Sequence, residues 1–305
     1  MAGPTVRYHS FVADSARWDG FELRDGDIII STPPKCGTTW MQMLVASLVR
    51  PEGLDRPLTR ISPWIEMMTA PLEEVRADLE AQTHRRLIKS HTPMDGLPDD
   101  ERIRYVCVAR DPRDVAFSWD NHHANMDHDL FVQSRIAATG ADDLAELGPP
   151  GPPRSDDPTE RLWQWVDEQP DPSVGIGCLA ATLHHLSTFW GRRDDPRVAL
   201  FHYSRLSQDL PGEVRRLAAF LGIEIDDARV GEIVAGASFA AMKADASALA
   251  PGAPDGHWRS DSQFFDQGPK RRWADVLDAA DVRRYEARLA ALDFDAEFLA
   301  WVHGP

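Results

Sequence analysis

Asp27-Ile-Ile-Ile-Ser-Thr-Pro-Pro-Lys-Cys-Gly-Thr-Thr-Trp-Met-Gln-Met-Leu-Val-Ala-Ser-Leu-Val49 reads as a short apolar strand, a tight polar turn and an amphipathic helix. Ile28, Ile29 and Ile30 are β-branched and too few for anything but a buried strand. Pro33 and Pro34 stop the strand, and Gly37 permits a sharp backbone excursion. Thr38 or Thr39 is the expected cap of a helix whose apolar positions include Met43, Leu44 and Leu48. A strand, a polar loop and a helix N-terminus in this order make an anion cradle, because unpaired N–H groups and the helix dipole converge there. Lys35 adds a full positive charge. A phosphate-type ligand is therefore expected at residues 35–40. The nucleoside-triphosphate loop Gly-x-x-x-x-Gly-Lys-Ser/Thr is not present, since Lys35 precedes the glycine and no opening glycine exists.

Composition narrows the classes. A chain of 305 residues buries a large core and is expected to form one α/β domain. A formal net charge of −16 argues against a nucleic-acid partner or an anionic membrane surface, while leaving room for a local basic pocket. Cys36, Cys107 and Cys178 are few, scattered and odd in number, so neither a disulfide framework nor zinc-ligand spacing is expected. The opening residues lack a signal peptide's apolar core and no apolar run is long enough to span a bilayer. A cytoplasmic location without a transmembrane segment follows as an expectation.

The opening loop resembles the Pro-Lys-Ser-Gly-Thr-Thr-Trp loop of the cytosolic sulfotransferase family, with Cys36 in place of serine. The resemblance runs from about residue 18 to 273 through ordered segments. It implies an α/β fold, a central mostly parallel sheet flanked by helices, with a P-loop-like strand–loop–helix. It also implies that Lys35, Cys36, Gly37, Thr38 and Thr39 hold the 5′-phosphosulfate of 3′-phosphoadenosine-5′-phosphosulfate (PAPS) and that Trp40 stacks on adenine. Arg60-Ile-Ser-Pro-Trp-Ile-Glu66 resembles a family segment after the first helix; Trp64 reads equally well as core filler. Arg86-Leu-Ile-Lys-Ser-His-Thr-Pro93 is a second strand entering a proline-limited turn, and residues two apart on a strand share a face. It resembles the family's Lys-Thr-His-x-Pro segment, which implies Lys89 as a helper and His91 as the catalytic base.

Ile103 to Ala109 is a buried-looking strand, and Asp111 or Pro112 starts the helix after it. Arg110-Asp-Pro-Arg-Asp-Val-Ala-Phe-Ser118 resembles the family segment whose arginine and serine grip the 3′-phosphate, implying Arg110 and Ser118 in those roles. Arg113 is expected to be a solvated helix charge. The strand Arg197 to Tyr203, taken as central, ends in a tyrosine whose family counterpart lies near adenine. Glu213 to Leu221 is a helix closed by Gly222. Ala237-Ser-Phe-Ala-Ala-Met-Lys243 resembles the family's Ser-Phe-x-x-Met segment, which places Ser238 and Phe239 at the nucleotide. The Arg-Asp-Gly-Asp-Ile-Ile-Ile opening, the Asp-Pro-Arg-Asp helix start and the Phe-His-Tyr strand look closest to bacterial glycolipid sulfotransferases.

The last family motif, Arg-Lys-Gly-x-x-Gly-x-Trp, is altered. Gly268 and Trp273 keep their spacing, but Asp266 and Gln267 replace Arg-Lys and Arg271 replaces the second glycine. An aspartate beside a phosphate repels it, whereas Lys270, Arg271 and Arg272 offer three cations close by. Residues 120–178 are the least legible; Gly148 to Ser155 is extended or mobile in composition and Glu160 to Trp165 a short helix, so the region suits a lid over the acceptor. Trp18, Trp64 and Trp119 are the aromatic candidates for an apolar acceptor pocket. His122, His123 and His128 invite a metal, but adjacent histidines on a helix face different directions and no carboxylate completes the set; no metal is expected.

The expected reaction is sulfuryl transfer from PAPS to an acceptor hydroxyl, on a small hydrophobic alcohol, phenol or glycolipid, leaving 3′,5′-adenosine bisphosphate (PAP). His91 is the expected base, and Lys35 and Lys89 the expected stabilisers of developing charge. A nucleotide-binding protein with impaired catalysis and a kinase or NTPase are the alternatives. Cys36, a thiol at a helix N-terminus beside a lysine, reads chiefly as a small serine substitute and secondarily as a low-pKa redox group. The oligomeric state is not legible.

Overall fold

The computed structural model describes residues 3–145, 154–252, 255–265 and 273–304. The altered motif residues Asp266, Gln267, Gly268, Lys270, Arg271 and Arg272 lie outside the described residues, as do most of Gly148 to Ser155.

Four parallel strands form the sheet, β1 (Ile28–Ser31), β2 (Leu87–Ser90), β3 (Arg104–Ala109) and β4 (Val198–His202), in the order β2-β1-β3-β4. Parallel strands need crossovers that cover both faces, which is why these strands read as apolar runs without alternation. Ile29 packs into one apolar cluster with Tyr105, Cys107 and Leu183, while Ile28 and Ile30 pack into another with Val106, Val108 and Leu44. Strand β4 stands at the end of this order, so the expectation that it is central is corrected. It is nevertheless buried at Val198, Ala199, Phe201 and His202, because helices cover both its faces; an apolar composition alone does not distinguish a covered edge from a centre.

In chain order the helices are α1 (Thr38–Val49), α2 (Leu58–Ile61), α3 (Leu72–Glu80), α4 (Pro112–Asn125), α5 (His128–Thr139), α6 (Pro158–Asp167) and α7 (Leu179–Trp190). After β4 come α8 (Tyr203–Gln208), α9 (Leu210–Leu221), α10 (Asp227–Gly236), α11 (Phe239–Ala244), α12 (Ala246–Leu249), α13 (Asp261–Phe264), α14 (Trp273–Val276), α15 (Ala279–Ala291) and α16 (Ala296–His303). Local chemistry starts and stops them as expected in most cases. Asp111 caps α4, accepting from the Arg113 N–H, with Pro112 at the first helical position. Gly222, at φ 68°, closes α9. At α1 the cap is Gly37 instead of a threonine, so Thr38 is already helical.

The turn before β1 is held by a buried ion pair. Asp27 accepts from Arg86 Nε at 2.8 Å and from the Arg24 N–H at 2.8 Å, and both partners of the Asp27–Arg86 pair are almost wholly buried. This pair fixes β1 beside β2 at the end of the sheet opposite the polar loop.

Candidate active site

The loop between β1 and α1 carries two left-handed residues, Lys35 at φ 67° and Gly37 at φ 108°. Glycine adopts that region at no steric cost, and lysine does not. Loops of this kind form anion-binding concavities. Here the concavity leads directly into the first turn of α1, whose orphan N–H groups receive no side-chain cap because residue 37 has no side chain to offer. Gly37 is required for a second reason: a Cβ there would lie 2.9 Å from Tyr203 Cδ2. The Tyr203 ring is itself held by Arg110, whose guanidinium carbon lies 4.4 Å from its centroid, and by Trp40, edge-on at 5.3 Å. Arg110 also donates to the Lys35 carbonyl at 3.0 Å, tying the end of β3 to the loop. The donor set, a lysine, an arginine, helix N–H groups and two aromatic rings, fits a nucleotide bearing anionic groups.

Strand β2 supplies the neighbouring groups. Ser90 turns away from Lys89 and His91: its hydroxyl donates to Glu66 at 2.6 Å and accepts from the Thr92 N–H at 2.9 Å. Glu66 is fully buried and also accepts from the Trp18 indole at 2.7 Å. Trp18 is thus a core residue of this network and not part of an acceptor pocket, which corrects the sequence reading. Trp64 is the opposite case. Lys89 Nζ lies 4.5 Å from its ring centroid and the His91 ring meets it edge-on at 4.7 Å, so one indole fixes both side chains. The Lys89 N–H donates to the Pro63 carbonyl at 2.9 Å, laying the Arg60–Glu66 segment beside β2.

His91 Nδ1 is 2.6 Å from the Thr32 carbonyl. A carbonyl only accepts, so Nδ1 carries the proton and Nε2 keeps its lone pair. Burial first, and then the Lys89 charge, hold the His91 pKa well below its ordinary value, so the ring is neutral near pH 7. Burial lowers Lys89 to about 8, against the raising influence of Glu66. Cys36 behaves as a core residue: it is fully buried in the cluster that includes Ile29 and Cys107, and burial pushes its thiol up to about 12 despite the nearby Arg110. The secondary, redox reading of Cys36 is therefore corrected: its thiol faces the core and not the cavity.

These elements open onto one cavity of about 870 Å³. Lys35, Gly37, Thr38, Thr39, Trp40, Lys89, His91, Arg110, Ser118, Tyr203, Ser238 and Phe239 all line it. Ser238 also caps α11 by accepting from the Ala241 N–H. Arg113 does not behave as a solvated charge: it pairs with Asp111 at 2.7 Å and its guanidinium carbon sits 3.5 Å from the Trp273 ring centroid. The illegible region divides. Trp163 and Trp165 are core residues, whereas Trp119, Asn121, His122, His123, His128 and Phe131 line the cavity. Sequence reasoning missed His122 as a site residue; Lys35 Nζ lies 3.4 Å from its Nδ1. Its signal was position, one helical turn beyond Ser118 on the same face of α4. Trp258 and Phe264 were missed as well, with no motif to mark them. No group of three metal-ligating side chains forms among the described residues.

A model of the sulfotransferase domain matches residues 25–291. The chain belongs to the sulfotransferase family. The glycolipid sulfotransferase of Mycobacterium tuberculosis strain H37Rv is 44% identical over 316 residues, spanning 98% of this chain and 94% of that protein. Sulfotransferase 1A1 of Rattus norvegicus is 23% identical over 97% of this chain and 93% of its own length. Among solved structures, retinol dehydratase with androsterone and PAP superposes with a TM-score of 0.70 at 19% identity, over 93% of this chain and 87% of that one. Mouse sulfotransferase SULT7A1 with PAP gives 0.69 at 18% identity, over 94% and 90%. At these identities the structures establish the shared fold. The sulfotransferase is thus a PAPS-dependent enzyme, and the twelve residues named above as lining the cavity are expected site residues.

Proposed function

We propose that this sulfotransferase moves the sulfuryl group of PAPS to a hydroxyl of a glycolipid or related hydrophobic alcohol, with His91 as base. The observation that carries the reading is the tautomer of His91: Nδ1 is spent on the Thr32 carbonyl, leaving Nε2 as a neutral acceptor in a cavity that also holds Lys35 and Lys89. Lys35, Lys89 and the first-turn N–H groups of α1 bind the donor's sulfate and 5′-phosphate and neutralise the charge that develops there. Arg110 and Ser118 bind the 3′-phosphate, and Trp40, Tyr203 and Phe239 hold the adenine. PAPS supplies the activated sulfuryl group: a bond forms between sulfur and the acceptor oxygen, the bond to the 5′-phosphate oxygen breaks, and the hydroxyl proton passes to His91 Nε2. The cavity-lining residues within 117–132 and 168–178 are assigned as the wall over the acceptor, within a single domain.

The glycolipid acceptor draws on the 44% identity to the mycobacterial enzymes. No helix among the described residues is long and apolar enough to cross a membrane, and the three cysteines are free and buried, which supports a cytoplasmic location. Calorimetry with PAP and transfer of radiolabelled sulfate from PAPS test the reading together. Binding with transfer is the expected result. Binding without transfer to any acceptor identifies a nucleotide-binding protein, and magnesium-dependent ATP turnover overturns the assignment.

A further inference from the structure

The cavity changes character along its length. Around the transfer site it is lined by Lys35, Lys89, His91 and Arg110. Next to Lys35 it becomes a wall of rings: His122 lies 5.7 Å from Trp119, 4.7 Å from Trp258 and 6.1 Å from Phe264, centroid to centroid. Beyond Trp258, His257 packs on Phe131 at 5.4 Å, and Phe131 on Phe11 at 6.2 Å, which brings the lining to α5. There the character changes again. The large apolar side chains most open to solvent among the described residues are Val132 (39%), Ile136 (43%), Val174 (43%) and Val276 (55%). Val132 and Val174 line this same cavity, and Ile136 stands one turn from Val132 on α5. Single exposed apolar residues carry no message, but two of the four in the lining of a ligand cavity, with a third one helical turn from it, do.

We infer that the acceptor is a long-chain amphiphile: a glycoside head lies against Trp119, His122 and Trp258, and its alkyl chain leaves across Val132, Ile136 and Val174. Flat ring faces with histidine nitrogens suit a sugar, which offers both C–H faces and hydroxyls. The rim suits methylenes, each stabilised when taken from water. With a net charge of −16 the chain gains nothing from an anionic lipid surface, so the rim is assigned to the acceptor's own chain. This inference rests on the transfer reaction proposed above.

The test uses the full chain with radiolabelled PAPS and alkyl β-glucosides from methyl to octyl, below their micelle concentrations. In the wild type kcat/KM should rise roughly two- to four-fold per methylene until the chain clears the rim. Val132→Ser/Ile136→Ser/Val174→Ser should compress the octyl-to-methyl ratio at least ten-fold, and Val276→Ser should leave that ratio as in the wild type. The three side chains are exposed, and a thermal melt checks that the triple variant is folded. A flat series, with methyl glucoside sulfated normally, overturns the inference and leaves the reaction standing. An unchanged ratio in the triple variant also overturns it. Sulfation of a phenol with no glucoside accepted at any length removes the glycoside head, and the inference with it. Sedimentation with neutral phosphatidylcholine vesicles that the triple variant loses, with no chain-length effect, reassigns the rim to a membrane surface.

Discussion

The two ends of the cavity are built by different means. The donor end is a backbone construction: a four-residue strand, two left-handed loop residues and a helix N-terminus, with Tyr203 wedged against Gly37. The end proposed for the acceptor is a side-chain construction, assembled from residues near 10–12, 64–67, 117–132, 168–178, 251–252 and 257–265. Backbone geometry restricts which residues are tolerated, so the donor end is written in a short contiguous run. A wall of rings tolerates many substitutions of similar shape, so the acceptor end leaves little trace in any one segment.

This contrast makes graded predictions. Lys35→Met, which keeps bulk and removes charge, should lower kcat on the order of 10²- to 10³-fold in a radiolabelled sulfate assay. Gly37→Ala forces a left-handed alanine against Tyr203, a strain of about 1–3 kcal/mol, so PAP should bind about ten-fold or more weakly by calorimetry. Tyr203→Ala should not rescue it, because the positive φ remains.

The pH dependence follows from Lys89. Its pKa, lowered to about 8 by burial, means that it is charged below pH 8 and neutral above. Accordingly kcat/KM for the donor should fall above about pH 8, by up to ten-fold per unit, and Lys89→Met should have a lower value without that fall. His91 is already neutral through this range and adds no limb of its own. The smallest effect belongs to the acceptor end: Trp119→Leu should raise the acceptor KM several-fold and leave PAP affinity unchanged. If Trp119→Leu weakens PAP as strongly as Gly37→Ala does, the division of the cavity into two ends is wrong.

How much was legible follows the same division. The β1–loop–α1 unit, the capped start of α4 and the glycine stop of α9 were readable because local sterics and orphan N–H groups dictate them. What failed depended on distant partners. Arg113 reads as a surface charge until Trp273 and Tyr285 arrive over it from the other end of the chain. Cys36 leaves a secondary reading as an activated thiol open until the core closes on it. Trp18 and Trp64 look alike in sequence, yet one is consumed by Glu66 and the other holds Lys89 and His91. His122 belongs to a histidine group whose metal reading the sequence itself argues against, and only the fold brings it to Lys35. Strand β4 reads as central because its helical cover gives it a central strand's composition.

The account turns on His91 as the base beside a separately built donor cradle. The direct measurement is His91→Ala, with PAP affinity by calorimetry and sulfate transfer from labelled PAPS recorded on the same preparation. PAP affinity should stay within about two-fold while kcat falls on the order of 10²- to 10⁴-fold. Transfer at the wild-type rate by His91→Ala would contradict the account.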